Sequence, residues 1–111
     1  MALQIEITTN YGFPVTYWKI TSITHNTLKN TLHAEISAYK DKAQREIENS
    51  IPLLGFVLKI HKIGFVWYVD FGDTKFDISE NEGFSLPADI SRSWIYGFIK
   101  TLGLWNTAQD I

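Results

Sequence analysis

Residues 31–40 have the sequence TLHAEISAYK, in which apolar and polar side chains alternate. Because successive side chains of a β-strand point to opposite faces, this alternation predicts a strand with one buried face and one exposed face. The side chains on the predicted buried face are Leu32, Ala34, Ile36 and Ala38. This is the clearest strand pattern in the chain.

Two more strands are predicted before it. Residues 3–9 also alternate between apolar and polar side chains. In the next strand, 15–25, the apolar positions change parity, which predicts a β-bulge near Tyr17 and Trp18. Residues 26–30 are a polar turn, so the strand at 15–25 and the one that follows the turn are predicted to form a hairpin.

The middle of the chain predicts two further strands, at 51–62 and 65–71. Both carry apolar residues on both faces along part of their length, which is typical of central strands or of strands that face a partner. The segment 41–50 is almost wholly polar. It is predicted to be an exposed loop or a single helical turn.

The C-terminal part of the chain predicts one helix near 90–102. Asp89 or Ser91 can cap its first turn, and Gly103 is placed to end it. Its apolar residues, which recur at three- and four-residue spacing, are Trp94, Ile95, Phe98, Ile99 and Leu102.

Strands followed by a helix predict an α+β fold, in which an antiparallel sheet of about five strands is packed by one C-terminal helix. A chain of 111 residues is expected to be a single domain, 1–111. The predicted core residues are Ile5, Ile20, Leu32, Ile36, Phe56, Leu58, Val69, Phe98 and Leu102.

The C-terminal segment from Trp94 to Trp105 is also predicted to be a protein-interface surface. An amphipathic helix needs about a third of its circumference apolar to pack on a sheet, and this segment has more than that. Trp and Tyr are enriched at binding hot spots. The predicted interface residues are Trp94, Tyr96, Ile99 and Trp105, and burial against the chain's own strands is the alternative.

Composition excludes several classes of function. The chain has no cysteine, so it forms neither a disulfide nor a thiolate metal site. Its net charge of -2 argues against a nucleic-acid partner. Its apolar runs are shorter than the roughly 18 residues that a membrane span requires, and its start lacks the pattern of a signal peptide, so we expect a soluble protein with no membrane partner.

Two arrangements of residues offer candidate metal ligands. His25 and His33 would face each other, with Glu35 on the same face, if the hairpin closed symmetrically about Lys29. The second arrangement is a calcium loop at 70–73, with Asp70 and Asp73 as ligands. This segment lacks the alternating oxygen ligands of the standard calcium loop. No nucleophile, phosphate or dinucleotide motif is present, so we expect no catalytic residue, no metal and no cofactor.

Charge is distributed unevenly along the chain. Residues 63–90 contain six carboxylates and one lysine, a local charge of -5, whereas residues 19–62 carry +3. Solvated turns account for the acidic stretch most simply. Attraction between opposite poles of two copies is a further possibility, because complementary charge steers association.

Several short segments of the chain share a pattern with known proteins: Tyr17–Ile20, Ala38–Asp41 with Arg45, Pro52–Leu53, and the ending from Tyr96 to Ile111 with Ile99, Lys100, Leu102 and Trp105. In these segments the chain resembles a group of small proteins that are encoded beside structural and tail genes of tailed bacteriophages and prophages. The resemblance implies a role in the phage particle or its assembly, and it brings no active-site residue.

The sequence therefore predicts a non-enzymatic, tail-associated phage structural or assembly protein. Expected partners are copies of the chain and other phage structural proteins, and the expected location is the virion, or the host cytoplasm during assembly. Two alternatives stay open. One is a phage-encoded inhibitor of a host protein, such as an anti-defence factor, and the other is a small aromatic-lined binding module.

Overall fold

A computed structural model describes residues 2–8, 14–46, 52–72 and 74–111, together with all of their side chains except that of Leu104. Its seven strands are β1 (Leu3–Thr8), β2 (Pro14–Asn26), β3 (Thr31–Tyr39), β4 (Leu54–Ile63), β5 (Val66–Phe71), β6 (Thr74–Ser79) and β7 (Gln109–Asp110). Its α-helices are α1 (Lys42–Arg45) and α2 (Arg92–Ile99), and 3-10 helices lie at Glu80–Glu82 and Gly103–Thr107.

The strands form one antiparallel sheet in the order β6-β5-β4-β3-β2-β1-β7. This sheet curls into a half-barrel, and the helices are small. The predicted α+β fold, with about five strands packed by a C-terminal helix, is therefore wrong. A curled sheet encloses most of its core within its own concave face, so a short helix and a 3-10 turn are enough to fill it.

The five predicted strands exist, and two strands were missed. β6 has the alternation of a strand, in which the half-buried Phe76 and Ile78 alternate with the exposed Lys75 and Asp77. Its charged residues led it to be interpreted as part of a solvated acidic stretch. β7 is two residues long and forms by pairing with Leu3 and Gln4 of β1, which is a long-range contact without a local sequence signal.

The predicted core is confirmed. Phe56 and Phe98 are half-buried and pack against the main cluster. The other seven predicted residues are buried: Ile5, Ile20, Leu32, Ile36, Leu58, Val69 and Leu102. A second cluster of Ala2, Tyr17 and Tyr39 is also buried.

The bulge in β2 lies further along the chain than predicted. Ile20 pairs with Ile36 and Ser22 pairs with Glu35, so Thr21 is the extra residue. Tyr17 and Trp18 need no bulge between them because both are buried, each in a different cluster. The parity change in the sequence therefore has two causes, which are burial on both faces of the strand and a bulge at Thr21.

Local sequence sets the start of both α-helices. Asp41 caps α1, which is the single helical turn predicted within 41–50. Residues 47–50 of that segment lie outside the described residues. So do Thr9 and Ile51, at the ends of predicted strands, and Asp73, in the candidate calcium loop. Ser91 caps α2, its hydroxyl oxygen accepting a hydrogen bond from the Trp94 amide at 3.1 Å. No helix within the described ranges is long and apolar enough to cross a membrane.

Candidate interaction surfaces

Trp105, a predicted interface residue, is part of the core. Its side chain is 5% exposed. Its ring lies edge-on to Trp18, at 4.9 Å between centroids, and to Phe71, at 5.2 Å. The 3-10 helix that carries it thus fills the concave face of the half-barrel.

Two more of the predicted interface residues are buried in α2. Tyr96 and Ile99 are 1% and 0% exposed. The Tyr96 hydroxyl oxygen accepts a hydrogen bond from the Ile20 amide at 2.8 Å, and burial raises the pKa of this hydroxyl. Trp94 is half-buried and stacks on Phe98, with 5.4 Å between ring centroids. Contact of another molecule with Tyr96, Ile99 or Trp105 would require the half-barrel to open.

The hairpin register separates the histidines of the first candidate metal site. His25 pairs with Leu32, and His33 pairs with Thr24. The turn spans four residues and ends at Asn30, which has a positive φ of 52°. The centre of the hairpin therefore lies between Leu28 and Lys29, and the β2–β3 pairing is shifted by one residue from closure about Lys29. Side chains of neighbouring residues on a strand point to opposite faces, so the two histidines do not converge.

The second candidate metal site cannot be assembled from described residues, because Asp73 lies outside them. Across the described part of the chain, no group of three His, Asp or Glu side chains is close enough to hold a metal ion.

A cluster of exposed apolar side chains lies at one end of the sheet. Leu28 is in the turn between β2 and β3, and Ile63 and Phe65 are at the turn between β4 and β5. The pairing of Thr31 with His61 places both turns at the same end. The three side chains are 94%, 62% and 77% exposed. We call Leu28, Ile63 and Phe65 the hairpin-tip cluster.

The sequence interpretation missed this cluster. The turn at 26–30 was treated as polar, although Leu28 interrupts its polar residues. The sequence predicts that residues 63–64 divide two strands and that Phe65 begins the second strand, where burial is the usual outcome for such a side chain. The signal was therefore present, but only the register of β3 with β4 shows that the two turns lie side by side.

Next to the hairpin-tip cluster, the outer face of the sheet carries rows of polar and aromatic residues. His61 pairs with Tyr68 across β4 and β5, and their rings stack with 5.3 Å between centroids. In the adjacent row, Lys59 pairs with Asp70, and Asp70 pairs with Lys75. Charge therefore alternates in sign along this row, which stabilises cross-strand neighbours.

The acidic residues of the stretch 63–90 lie mostly on β5, on β6 and on the 3-10 helix that follows β6. One of them, Glu80, forms an ion pair with Lys62 at 2.9 Å. The Lys62 ammonium also lies 5.5 Å from the centre of the Trp67 ring. This contact joins the 3-10 helix that follows β6 to β4.

One open cleft, at the start of α1, has a volume of about 650 Å³. Two of its polar groups have partners: the Thr16 hydroxyl donates to the Lys40 carbonyl at 2.7 Å, and the Asp41 carboxylate accepts from the Gln44 amide at 2.8 Å. These contacts stabilise the start of α1. The described residues that line the cleft include neither His nor Cys.

No protein-family model matches the chain, and neither a curated protein nor a solved structure is detectably similar to it. The function is therefore inferred from the exposed surfaces and the sequence patterns.

Proposed function

We propose that this chain is a non-enzymatic interaction protein of a tailed-phage particle or of its assembly, and that it binds another phage structural protein through the hairpin-tip cluster. The observation that carries the proposal is the exposure of Leu28, Ile63 and Phe65 at one end of the sheet. Exposed apolar side chains at one end of a sheet provide apolar surface of the kind at which proteins make contact.

The residues around the cluster indicate what kind of surface would bind there. Lys29 lies in the same turn as Leu28, and the exposed His61 lies two residues before Ile63. A partner with apolar side chains at its centre and polar groups at its rim would complement this end of the sheet. The resemblance of the sequence to proteins encoded beside phage tail genes supports a phage structural protein as that partner.

Sedimentation of phage particles and assembly intermediates tests this proposal. The phage that carries the gene is grown, its particles and precursors are separated on a density gradient, and the chain is detected with an antibody. We expect the chain to sediment with a particle or with a defined precursor. Sedimentation as the free protein, or with a host protein alone, would contradict the proposal; the second result would support the inhibitor alternative.

Matched variants connect that result to the cluster. Leu28→Asp and Phe65→Asp each place a charge at an exposed position, so both should fold normally and lose association with the particle. Asn106→Asp adds the same charge at an exposed position of the C-terminal 3-10 helix and should behave as the wild type. If all three variants associate equally with the particle, the hairpin-tip cluster is not the binding surface.

A further inference from the structure

β6 is the terminal strand of the sheet. Among the described residues, no other backbone segment pairs with it on its outer side. A free strand edge presents N–H and C=O groups that can pair with another strand. The side chains of β6 determine which strand can pair there.

The ladder between β5 and β6 shows which backbone groups of β6 point to the free edge. The Glu80 amide donates to the Phe65 carbonyl at 2.8 Å, one pair beyond the pairing of Ser79 with Val66. Hydrogen-bonded and non-hydrogen-bonded pairs alternate in an antiparallel ladder. Lys75 and Asp77 therefore direct their N–H and C=O groups away from β5, toward the free edge.

These backbone groups restrict the pairing of β6 with the β6 strand of a second copy. In an antiparallel, two-fold pairing, edge-directed residues must lie opposite edge-directed residues. Ser79 points to the free edge by the same alternation, and among the registers that satisfy this condition three place the charged residues Lys75 and Asp77 opposite themselves or each other. One places Lys75 opposite Lys75, another places Asp77 opposite Asp77, and the third places Lys75 of each copy opposite Asp77 of the other.

Charge selects the third register, because like charges directly opposite each other destabilise a sheet and opposite charges stabilise it. In this register Asp77 of the second copy continues the row of Lys59, Asp70 and Lys75, and the charge keeps alternating across the junction. The symmetry of the pair produces this contact twice. Charged residues usually block the edge of a sheet, but here they fit a copy of the same strand.

The inner face of the junction is apolar. In the same register Phe76 of one copy lies opposite Phe76 of the other. Phe76 and Ile78 are only half-buried in the single chain, so both have apolar surface left to bury. The pairing would join the concave faces of the two half-barrels.

We infer that β6 is a self-association edge, at which two copies of this chain pair antiparallel with Lys75 of each copy opposite Asp77 of the other. The inference goes beyond the proposed function, because it concerns a different surface and a different partner. Hairpin-tip binding to a phage protein and dimerisation through β6 can each fail without the other.

Sedimentation equilibrium of the purified full chain over a range of concentrations tests the inference. The wild type should form a dimer. Lys75→Asp and Asp77→Lys should each raise the dissociation constant by about tenfold or more, because each turns two attractive contacts into two repulsive ones. The double variant with both changes restores opposite charges across the junction and should dimerise more tightly than either single variant.

Two further variants separate pairing from folding. Lys75→Asp also brings a carboxylate beside Asp70 of its own chain, so its folding is checked by circular dichroism at a dilution where all variants are monomeric. Asp77→Pro removes an edge-directed amide without removing a hydrogen bond to β5, and it should be monomeric and folded. Lys59→Asp makes the same charge change two strands away from the edge and should still dimerise.

Three results would overturn the inference. They are a wild type that stays monomeric at the highest concentration, a dimer unaffected by Asp77→Pro, and growth of longer oligomers by head-to-tail contact. A double variant no tighter than the single variants would exclude the proposed register.

Discussion

The hydroxyl oxygen of Tyr96 in α2 accepts a hydrogen bond from the backbone amide of Ile20 in β2, at a distance of 2.8 Å. Ile20 immediately precedes the bulge residue Thr21, where the register of β2 with β3 shifts. Both partners are buried. The Tyr96 side chain thus connects α2 to the sheet next to the β-bulge at Thr21.

Replacing Tyr96 by Phe tests this contact. The variant keeps the ring but leaves the Ile20 amide buried without this acceptor, which should lower the free energy of unfolding by about 1–3 kcal/mol. Urea unfolding followed by circular dichroism measures the change. Tyr68→Phe is the matched control, since Tyr68 is 39% exposed and its loss of a hydroxyl should change stability little. Equal effects of the two substitutions would contradict the assigned role.

Alkaline pH should weaken the same contribution. Burial raises the pKa of Tyr96 in the folded protein, so the unfolded chain, in which its pKa is about 10, loses this proton first. The stability that Tyr96 contributes is thus present below about pH 10 and is lost as pH rises from there through the folded pKa. The difference in unfolding free energy between the wild type and Tyr96→Phe should shrink over that range. A difference that stays constant or grows would contradict a buried, neutral hydroxyl.

Trp105→Ala should destabilise the monomer rather than change its association. The Trp105 ring packs against Trp18 and Phe71 in the core, and replacing a buried Trp by Ala costs about 3–5 kcal/mol. This is a large fraction of the stability of an ordinary domain. Trp94→Ala, at a half-buried position, should cost less. A folded Trp105→Ala variant of unchanged stability and weakened association would instead favour the interface predicted from the sequence.

The sequence predicted those parts of the fold that depend on local pattern. The alternation in residues 31–40 located β3 and both of its faces, and the cap at Ser91 located the start of α2. β6 has a similar alternation, but its lysine and its aspartate favoured a solvated stretch over a strand with two apolar residues. β7 could not be predicted because it exists only through its pairing with β1.

The candidate surfaces depended on register, which the sequence did not determine. Asn30 adopts a positive φ, and the four-residue turn that it ends shifts the pairing by one position from the symmetric closure assumed. That shift separated His25 from His33. The wide apolar arc of α2 was identified correctly, but it fills the curled sheet, a shape that periodicity alone does not show.

Thermal unfolding should be the same with and without a strong chelator. A metal that binds the native state alone would stabilise it, so its removal would lower the melting temperature. His25 and His33 point to opposite faces, which leaves the first candidate site without its ligand pair. Differential scanning calorimetry measures the temperature, and a drop of several degrees on chelation would show that a metal contributes to the fold.

Amide hydrogen exchange tests most directly whether the hairpin-tip cluster is the contact surface. Exchange is measured for the free chain and for the chain bound to the phage particle or precursor that captures it. Binding at this end of the sheet should slow exchange at the β2–β3 turn and the β4–β5 turn together, around Leu28 and Phe65. Unchanged exchange at both turns, with protection confined to other parts of the chain, would contradict the account.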